Sequence, residues 1–74
     1  MWKEENNALV YEKEFKDFNE AWGFLNRVAL IAEQQGHHPT IENTYNKVKL
    51  TVTTHDAGNT LTAKDRAFAD AVDF

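Results

Sequence analysis

The chain has 74 residues and no cysteine, and its eight basic and twelve acidic side chains give a formal net charge of −4. This length predicts one domain, residues 1–74, and the absence of cysteine excludes disulfides and thiolate zinc sites. The acidic balance argues against nucleic-acid binding, since phosphate backbones attract clustered positive charge. The polar start and the short apolar runs predict a cytoplasmic protein with no signal peptide and no membrane segment.

Two strands are predicted at the start of the chain. Residues 2–5 read as a short edge strand, and residues 8–15 alternate apolar and acidic side chains. Asn6 and Asn7 lie between them, and asparagine tolerates the left-handed backbone of a tight turn. The pattern therefore predicts a hairpin.

A long helix is predicted over residues 17–36. Asp17 can cap its first turn, and Glu20, three residues later, completes a capping-box pattern. Gly36 suits a left-handed end, and Pro39 prevents the helix from resuming. The spacing of apolar residues predicts a core-facing stripe that comprises Phe18, Ala21, Trp22, Leu25, Val28, Ala29 and Ile31.

The second half of the chain predicts two strands, residues 40–46 and 48–54, a turn at 56–59, and a helix over 63–73 that Thr62 caps. The predicted apolar side of this last helix comprises Ala67, Phe68, Ala71 and Val72. The order β-β-α-β-β-α predicts an α+β fold, a four-stranded antiparallel sheet with both helices packed on one face.

The residues best suited to chemistry are three histidines at the ends of predicted elements. His37 and His38 follow the long helix, and His55 follows the last strand. Imidazole titrates near neutrality, so such a cluster can both donate and accept protons at pH 7. Glu33 lies one helical turn before His37, and Asp65 lies in the first turn of the last helix. Serine is absent from the sequence, which excludes Ser-His-Asp catalysis.

Simpler structural roles stay open for several of these residues. The His-His-Pro run serves equally as a polar exit from the helix, Asp65 as a cap, and Glu33 as a solvated helix residue. Trp22 and Tyr45 are predicted to lie in the core rather than against a ligand.

A metal site is not predicted. Metal ligands on a helix are usually spaced by three or four residues, whereas the adjacent side chains of His37 and His38 tend to diverge. The three glycines are scattered, so a glycine-rich phosphate loop is absent from the sequence as well.

The stretch from residue 18 to 65 resembles the pterin-4a-carbinolamine dehydratase family in the segments FNEAWGFLNRVALIAEQQGHHP, TYNKVKLTVTTH and LTAKD. The residues that carry the resemblance are Glu33, His37-His38-Pro39, Tyr45, Thr54-His55 and Asp65. The chain departs from the family in having Ile41 where Trp is usual and a loop at 56–64 that is one residue longer. Because the first predicted strand begins at residue 2, we expect a short form that lacks the N-terminal helix of the animal proteins.

The resemblance implies a reaction and a set of roles. The reaction is loss of water from 4a-hydroxytetrahydrobiopterin to give quinonoid dihydropterin, which supports pterin recycling and needs no metal or organic cofactor. The histidine that matches His38 helps to bind the pterin and is a candidate base, whereas those matching His37 and His55 are proposed acids. The positions expected to bind or orient the substrate are Glu33, Pro39, Thr54 and Asp65.

The resemblance also implies partners. It indicates a homodimer or homotetramer, in agreement with a core that supplies roughly 3–5 kcal/mol by itself, and an aromatic amino acid hydroxylase as a pathway partner. Molybdopterin metabolism is the alternative pathway. The alternative function is a non-catalytic module of the same fold that binds a pterin or dimerises with another protein.

Overall fold

The computed structural model describes residues 2–72. Its elements are the strands β1 (Trp2–Glu5) and β2 (Ala8–Glu14), the helix α1 (Phe18–Gln35), the strands β3 (Thr40–Thr44) and β4 (Lys47–Val52), a short 3-10 turn (His55–Ala57), and the helix α2 (Ala63–Val72). The four strands form one sheet in the order β1-β2-β4-β3, and every neighbouring pair is antiparallel. The predicted α+β fold is confirmed. Residue 73, the predicted end of the last helix, lies outside the described residues.

One face of the sheet carries the core. Tyr11 of β2 lies opposite Leu50 of β4, and directly opposed residues of an antiparallel pair project to the same face. Both helices pack against this face and bring Val28 of α1 and Phe68 of α2 into full burial. None of the helices within residues 2–72 combines the length and apolar character that crossing a bilayer requires.

The predicted turn between β1 and β2 and the predicted caps of α1 are confirmed, whereas β2 ends at Glu14, one residue before its predicted end. Asn6 and Asn7 have φ angles of 49° and 62°, as a tight hairpin turn requires. Asp17 Oδ1 accepts a hydrogen bond from the Glu20 amide at 2.9 Å. Gly36 ends α1 at φ 61°, and its amide bonds back to the last turn of the helix.

The predicted buried face of α1 is partly wrong. The residues that α1 buries are Ala21, Phe24, Leu25, Val28 and Ala32. Phe18 and Trp22 stack on each other outside the core at 5.8 Å between ring centroids, and Trp22 is 51% exposed. Ala29 is also exposed, and Ile31 is only partly buried. Phe24 takes their place in the core because it packs between Tyr11 and Phe15, at centroid distances of 5.6 and 5.1 Å.

Two further predictions need correction. Tyr45 is not a core residue: it occupies the turn between β3 and β4 with φ 51° and is 62% exposed. β3 therefore ends at Thr44 instead of residue 46, and β4 runs from Lys47 to Val52 instead of from 48 to 54. On α2 the buried alanine is Ala69, whereas Ala67 and Ala71 face solvent, because a ten-residue helix with one contact face buries only residues three or four apart.

Candidate active site

A cavity of about 200 Å³ lies where the end of α1, the end of β4 and the start of α2 meet. All three histidines line it, together with Gly36, Thr53, Thr54, Asp56 and Lys64. The histidine cluster predicted from the sequence is therefore brought together by the fold. Lys64 was not among the predicted site residues.

The end of α1 delivers two of the histidines. The left-handed backbone of Gly36 reverses the chain, and the His37 amide bonds to the Ala32 carbonyl at 3.1 Å. This is the hydrogen bonding of a glycine-terminated helix. His37 and His38 therefore leave α1 at a fixed angle and reach the cavity.

His37 is held by a buried carboxylate. Its Nε2 lies 2.6 Å from Asp65 Oδ1, and the exposed fractions of the two side chains are 11% and 0%. The His37 ring also packs edge-on against Phe68 at 6.2 Å between centroids. Because a carboxylate only accepts hydrogen bonds, Nε2 carries the proton.

Asp65 is itself fixed by two threonines. Its Oδ2 accepts from the Thr54 hydroxyl at 2.7 Å and from the Thr62 amide at 2.9 Å. The two hydroxyl oxygens of Thr54 and Thr62 also lie 2.7 Å apart. Since Thr54 gives its one proton to Asp65, the Thr62 hydroxyl donates to Thr54. The chain of hydrogen bonds runs from Thr62 through Thr54 to Asp65.

These contacts set the charge state of Asp65. Burial alone raises the pKa of this carboxyl, but hydrogen bonds from His37, the Thr62 amide and Thr54 outweigh burial, and the pKa lies below its ordinary value of 3.8. Asp65 is therefore an anion at neutral pH.

Thr62 also has the capping role predicted for it at the start of α2, since its hydroxyl accepts a hydrogen bond from the Lys64 amide at 3.3 Å.

His38 has an exposed carboxylate partner. Its Nε2 lies 2.8 Å from Glu33 Oε1 on the last turn of α1, and both side chains face solvent. Glu33 does not line the cavity, so it reaches the site only through this ring.

His55 has a neutral partner that the sequence analysis missed. Its Nδ1 lies 2.6 Å from Oδ1 of Asn59, four residues later. The pair Gly58-Asn59 is the local signal for the turn between them, with φ angles of 81° and 58°. Glycine and asparagine are the residues that adopt this left-handed region most readily.

Pro39, Tyr45 and Ile41 do not line the cavity. Tyr45 lies before the first residue of β4 and the cavity follows the last one. The six residues of β4 span about 20 Å at the rise of an extended strand.

Within residues 2–72, the structure contains no group of three or more His, Asp or Glu side chains arranged to hold a metal ion.

The whole chain, residues 1–74, matches the family described as Pterin 4 alpha carbinolamine dehydratase. A protein of Rhodospirillum rubrum, provisionally named a pterin-4-alpha-carbinolamine dehydratase, is 54% identical over 66 residues, which are 89% of this chain and 68% of that protein. A protein of Novosphingobium aromaticivorans with the same provisional name is 49% identical over 71 residues, 96% of this chain and 73% of that protein.

Solved structures with this fold are also known. A transcriptional coactivator/pterin dehydratase from Brucella melitensis has a TM-score of 0.87 at 37% identity, over 96% of this chain and 77% of that one. A pterin dehydratase-like protein identified as a RuBisCO assembly factor in the alpha-carboxysome has a TM-score of 0.77 at 24% identity, over 99% and 83% of the two chains. The family match and the sequence identities lead to one conclusion: the chain belongs to the pterin-4a-carbinolamine dehydratase family.

Proposed function

We propose that the protein is a dehydratase that eliminates water from 4a-hydroxytetrahydrobiopterin and gives quinonoid dihydropterin. The observation that carries the proposal is the convergence of His37, His38 and His55 on one cavity, each with a second ring nitrogen held by an acceptor. Held in this way, the rings have fixed orientations and can act as general acids and bases near neutral pH.

The elimination needs an acid for the leaving oxygen. The C4a–O bond breaks heterolytically, and a proton from an imidazolium converts the departing hydroxide into water. We assign this step to His37 and His55, one for each face of the pterin ring. Asp65 contacts Nε2 of His37 at 2.6 Å and orients this ring for the transfer.

The elimination also needs a base. Loss of the ring N–H proton supplies the electron pair that forms the new double bond, and a neutral imidazole collects that proton. We assign this step, together with contact to the pterin, to His38. Glu33 accepts from Nε2 of His38, which leaves Nδ1 of that ring as the basic atom. One proton is delivered by the acid and one is collected by His38, so the net proton count of the site is unchanged, and proton exchange with solvent returns each ring to its starting state.

The orienting roles divide between the two acidic residues and two others. Asp65 and Thr54 orient His37, and Glu33 orients His38. The hydroxyl of Thr54 is already donated to Asp65, which favours positioning over direct substrate contact. Pro39 fixes the chain directly after the two histidines. We further propose that the protein acts in the cytoplasm in pterin recycling.

Histidine substitutions test the mechanism. With freshly generated 4a-hydroxytetrahydropterin and absorbance detection of the quinonoid product, His38→Ala is expected to reduce kcat and raise KM together. His37→Ala and His55→Ala each leave partial activity, and the double variant loses the ~10²–10⁴-fold contribution of the acid.

Glu14→Gln is the matched control for these variants. Glu14 is exposed at the far end of β2, where it lies opposite Lys47 at the start of β4, and its loss is expected to leave turnover unchanged. Full activity in the His37/His55 double variant would contradict the assigned acids. An inactive wild-type protein that still binds pterin would contradict the proposed dehydratase activity.

A non-catalytic binding or dimerisation role is the second candidate. It is favoured by the exposed apolar side chains on α1, Phe18, Trp22 and Leu30, which the domain leaves uncovered. The activity assay on the wild-type protein separates the two candidates, because only the enzyme forms the quinonoid product. An assembly module does not require histidines that are oriented by acceptors.

A further inference from the structure

We propose that Asn59 is a positioning residue that fixes the ring of His55. Its side-chain oxygen holds the proton of Nδ1, so that Nε2 is the atom that exchanges a proton with a ligand in the cavity. This inference rests on the proposed function for its catalytic consequence and on the structure alone for the state of the ring.

The backbone holds Asn59 in place from two sides. Its amide donates to the Thr54 carbonyl at 3.1 Å, and the Gly58 amide donates to the His55 carbonyl at 3.0 Å. Thr54 and Thr60 add an isolated antiparallel bridge around the same turn. The side-chain oxygen of Asn59 is therefore presented to Nδ1 of His55 at 2.6 Å by a turn that is closed independently of the side chains.

The residue type carries a second argument. Asn59 has φ 58°, a value at which glycine fits without strain. Glycine would satisfy the turn equally well, and only the side chain of asparagine supplies an acceptor. The turn accounts for the left-handed backbone, whereas the contact to His55 accounts for the amide.

The contact decides which nitrogen is reactive. An amide oxygen accepts and does not donate, so Nδ1 of His55 keeps its proton in both the neutral and the charged ring. The labile proton then sits on Nε2. In His37 and His38 the situation is reversed, since Nε2 is held in both and Nδ1 is the remaining atom. The three rings thus present two different nitrogens.

The partner of His55 also differs in charge from those of the other two rings. His37 and His38 pair with carboxylates, whereas the amide of Asn59 is neutral. The other titratable and charged groups that line the cavity with His55 are His37, His38, Asp56 and Lys64.

The test compares Asn59→Gly with Asn59→Asp. Glycine keeps the left-handed turn and removes the acceptor, whereas aspartate keeps the acceptor and adds a negative charge. Long-range ¹H–¹⁵N spectra of the histidine rings are expected to show a neutral His55 protonated at Nδ1 in the wild type and in Asn59→Asp. Asn59→Gly gives a mixture of tautomers, with the spectrum of His37 unchanged.

Activity gives the second readout. For the pterin face that His55 serves, Asn59→Gly is expected to lower kcat by roughly 10-fold with little change in KM, as for the loss of other partners that orient a functional side chain. Asn59→Asp restores kcat, and the limb of the pH–rate profile that reports His55 moves to higher pH because the carboxylate stabilises the imidazolium. A merely structural role for Asn59 would lower kcat in Asn59→Gly without changing the tautomer of His55.

Asn6→Gly is the matched control, because it also replaces a left-handed asparagine by glycine. Asn6 has φ 49° in the hairpin turn before β2. It is expected to leave the His55 spectrum and kcat unaltered. A wild-type His55 protonated at Nε2, or an unchanged ring spectrum in Asn59→Gly, would overturn the proposal. The spectra do not depend on turnover. A protein without dehydratase activity would therefore refute the proposed function, while the spectra would still decide whether Asn59 fixes the ring of His55.

Discussion

Asp65 combines two functions that sequence patterns treat as alternatives. Its Oδ2 caps the first turn of α2 through the Thr62 amide, and its Oδ1 holds His37. A single carboxylate can do both because its two oxygens have separate lone pairs. The structural and the catalytic interpretations of this residue are therefore compatible.

The lowered pKa of Asp65 predicts a pH-dependent contribution to stability. A group whose pKa is lower in the folded state stabilises that state at pH values above the unfolded pKa, here about 3.8, and the contribution is lost as the pH falls through the folded-state value. In urea unfolding near pH 7, Asp65→Asn is expected to cost about 1–3 kcal/mol, because the new amide nitrogen cannot accept from Thr54 and Thr62. The difference from the wild type narrows below pH 4.

Asp70→Asn is the control, on the exposed side of the same helix. It is expected to change stability by no more than about 0.5 kcal/mol. A difference between the wild type and Asp65→Asn that widens as the solution is acidified would contradict the assignment.

Residue identities predicted much of the site, and contacts between side chains supplied the rest. The spacing of His37, His38 and His55 at element ends indicated a proton-transfer site, and the fold brings all three to one cavity. The pairing of His55 with Asn59 was not predictable in the same way, because it depends on two consecutive left-handed residues that close a turn.

At the scale of elements, the observed buried face of α1 predicts a large loss of stability for one aromatic substitution and a small loss for another. Phe24→Ala is expected to cost about 3–5 kcal/mol, comparable to the whole stability of so small a core, and to leave the chain largely unfolded by circular dichroism. Trp22→Ala removes an exposed ring stack and is expected to cost about 1 kcal/mol or less. The reverse order would show that the predicted stripe was correct.

The ends of α1 were predictable from sequence and its buried face was not, for a physical reason. Asp17 and Gly36 act through their own backbone neighbours, so local sequence specifies them. The buried face depends on partners distant in the chain, such as Tyr11 against Phe24. The predicted and the observed stripes share Ala21, Leu25 and Val28. Trp22 and Phe24 both lie at helical spacing from this shared set, so only packing selects Phe24 for the core.

At the scale of the whole molecule, the open sheet edges predict self-association. The strands β1 and β3 form the two edges, and β3 carries the exposed Ile41. Pairing an edge with another copy satisfies its free backbone groups and buries apolar surface. Sedimentation equilibrium at micromolar concentration is expected to give a multiple of 8.5 kDa.

Two substitutions locate the edge that pairs. Ile41→Lys places a charge on β3 and is expected to shift the protein toward the monomer, since edge lysines oppose strand addition. Lys3→Arg on β1 is the control, since it keeps the charge on the other edge, and it leaves the mass unaltered. A mass of 8.5 kDa for the wild type would reject self-association through the sheet.

The double attachment of Asp65 also links the motions of the site to those of α2. The first turn of a helix is ordinarily the part that frays most easily, and it opens without disturbing the rest of the domain. Here such an opening pulls Asp65 away from both His37 and Thr54, which belong to the ends of α1 and β4. The frequency with which α2 frays therefore sets an upper limit on the fraction of time that the His37 ring is correctly aligned, so selection for a well-ordered site would act on the stability of a helix end.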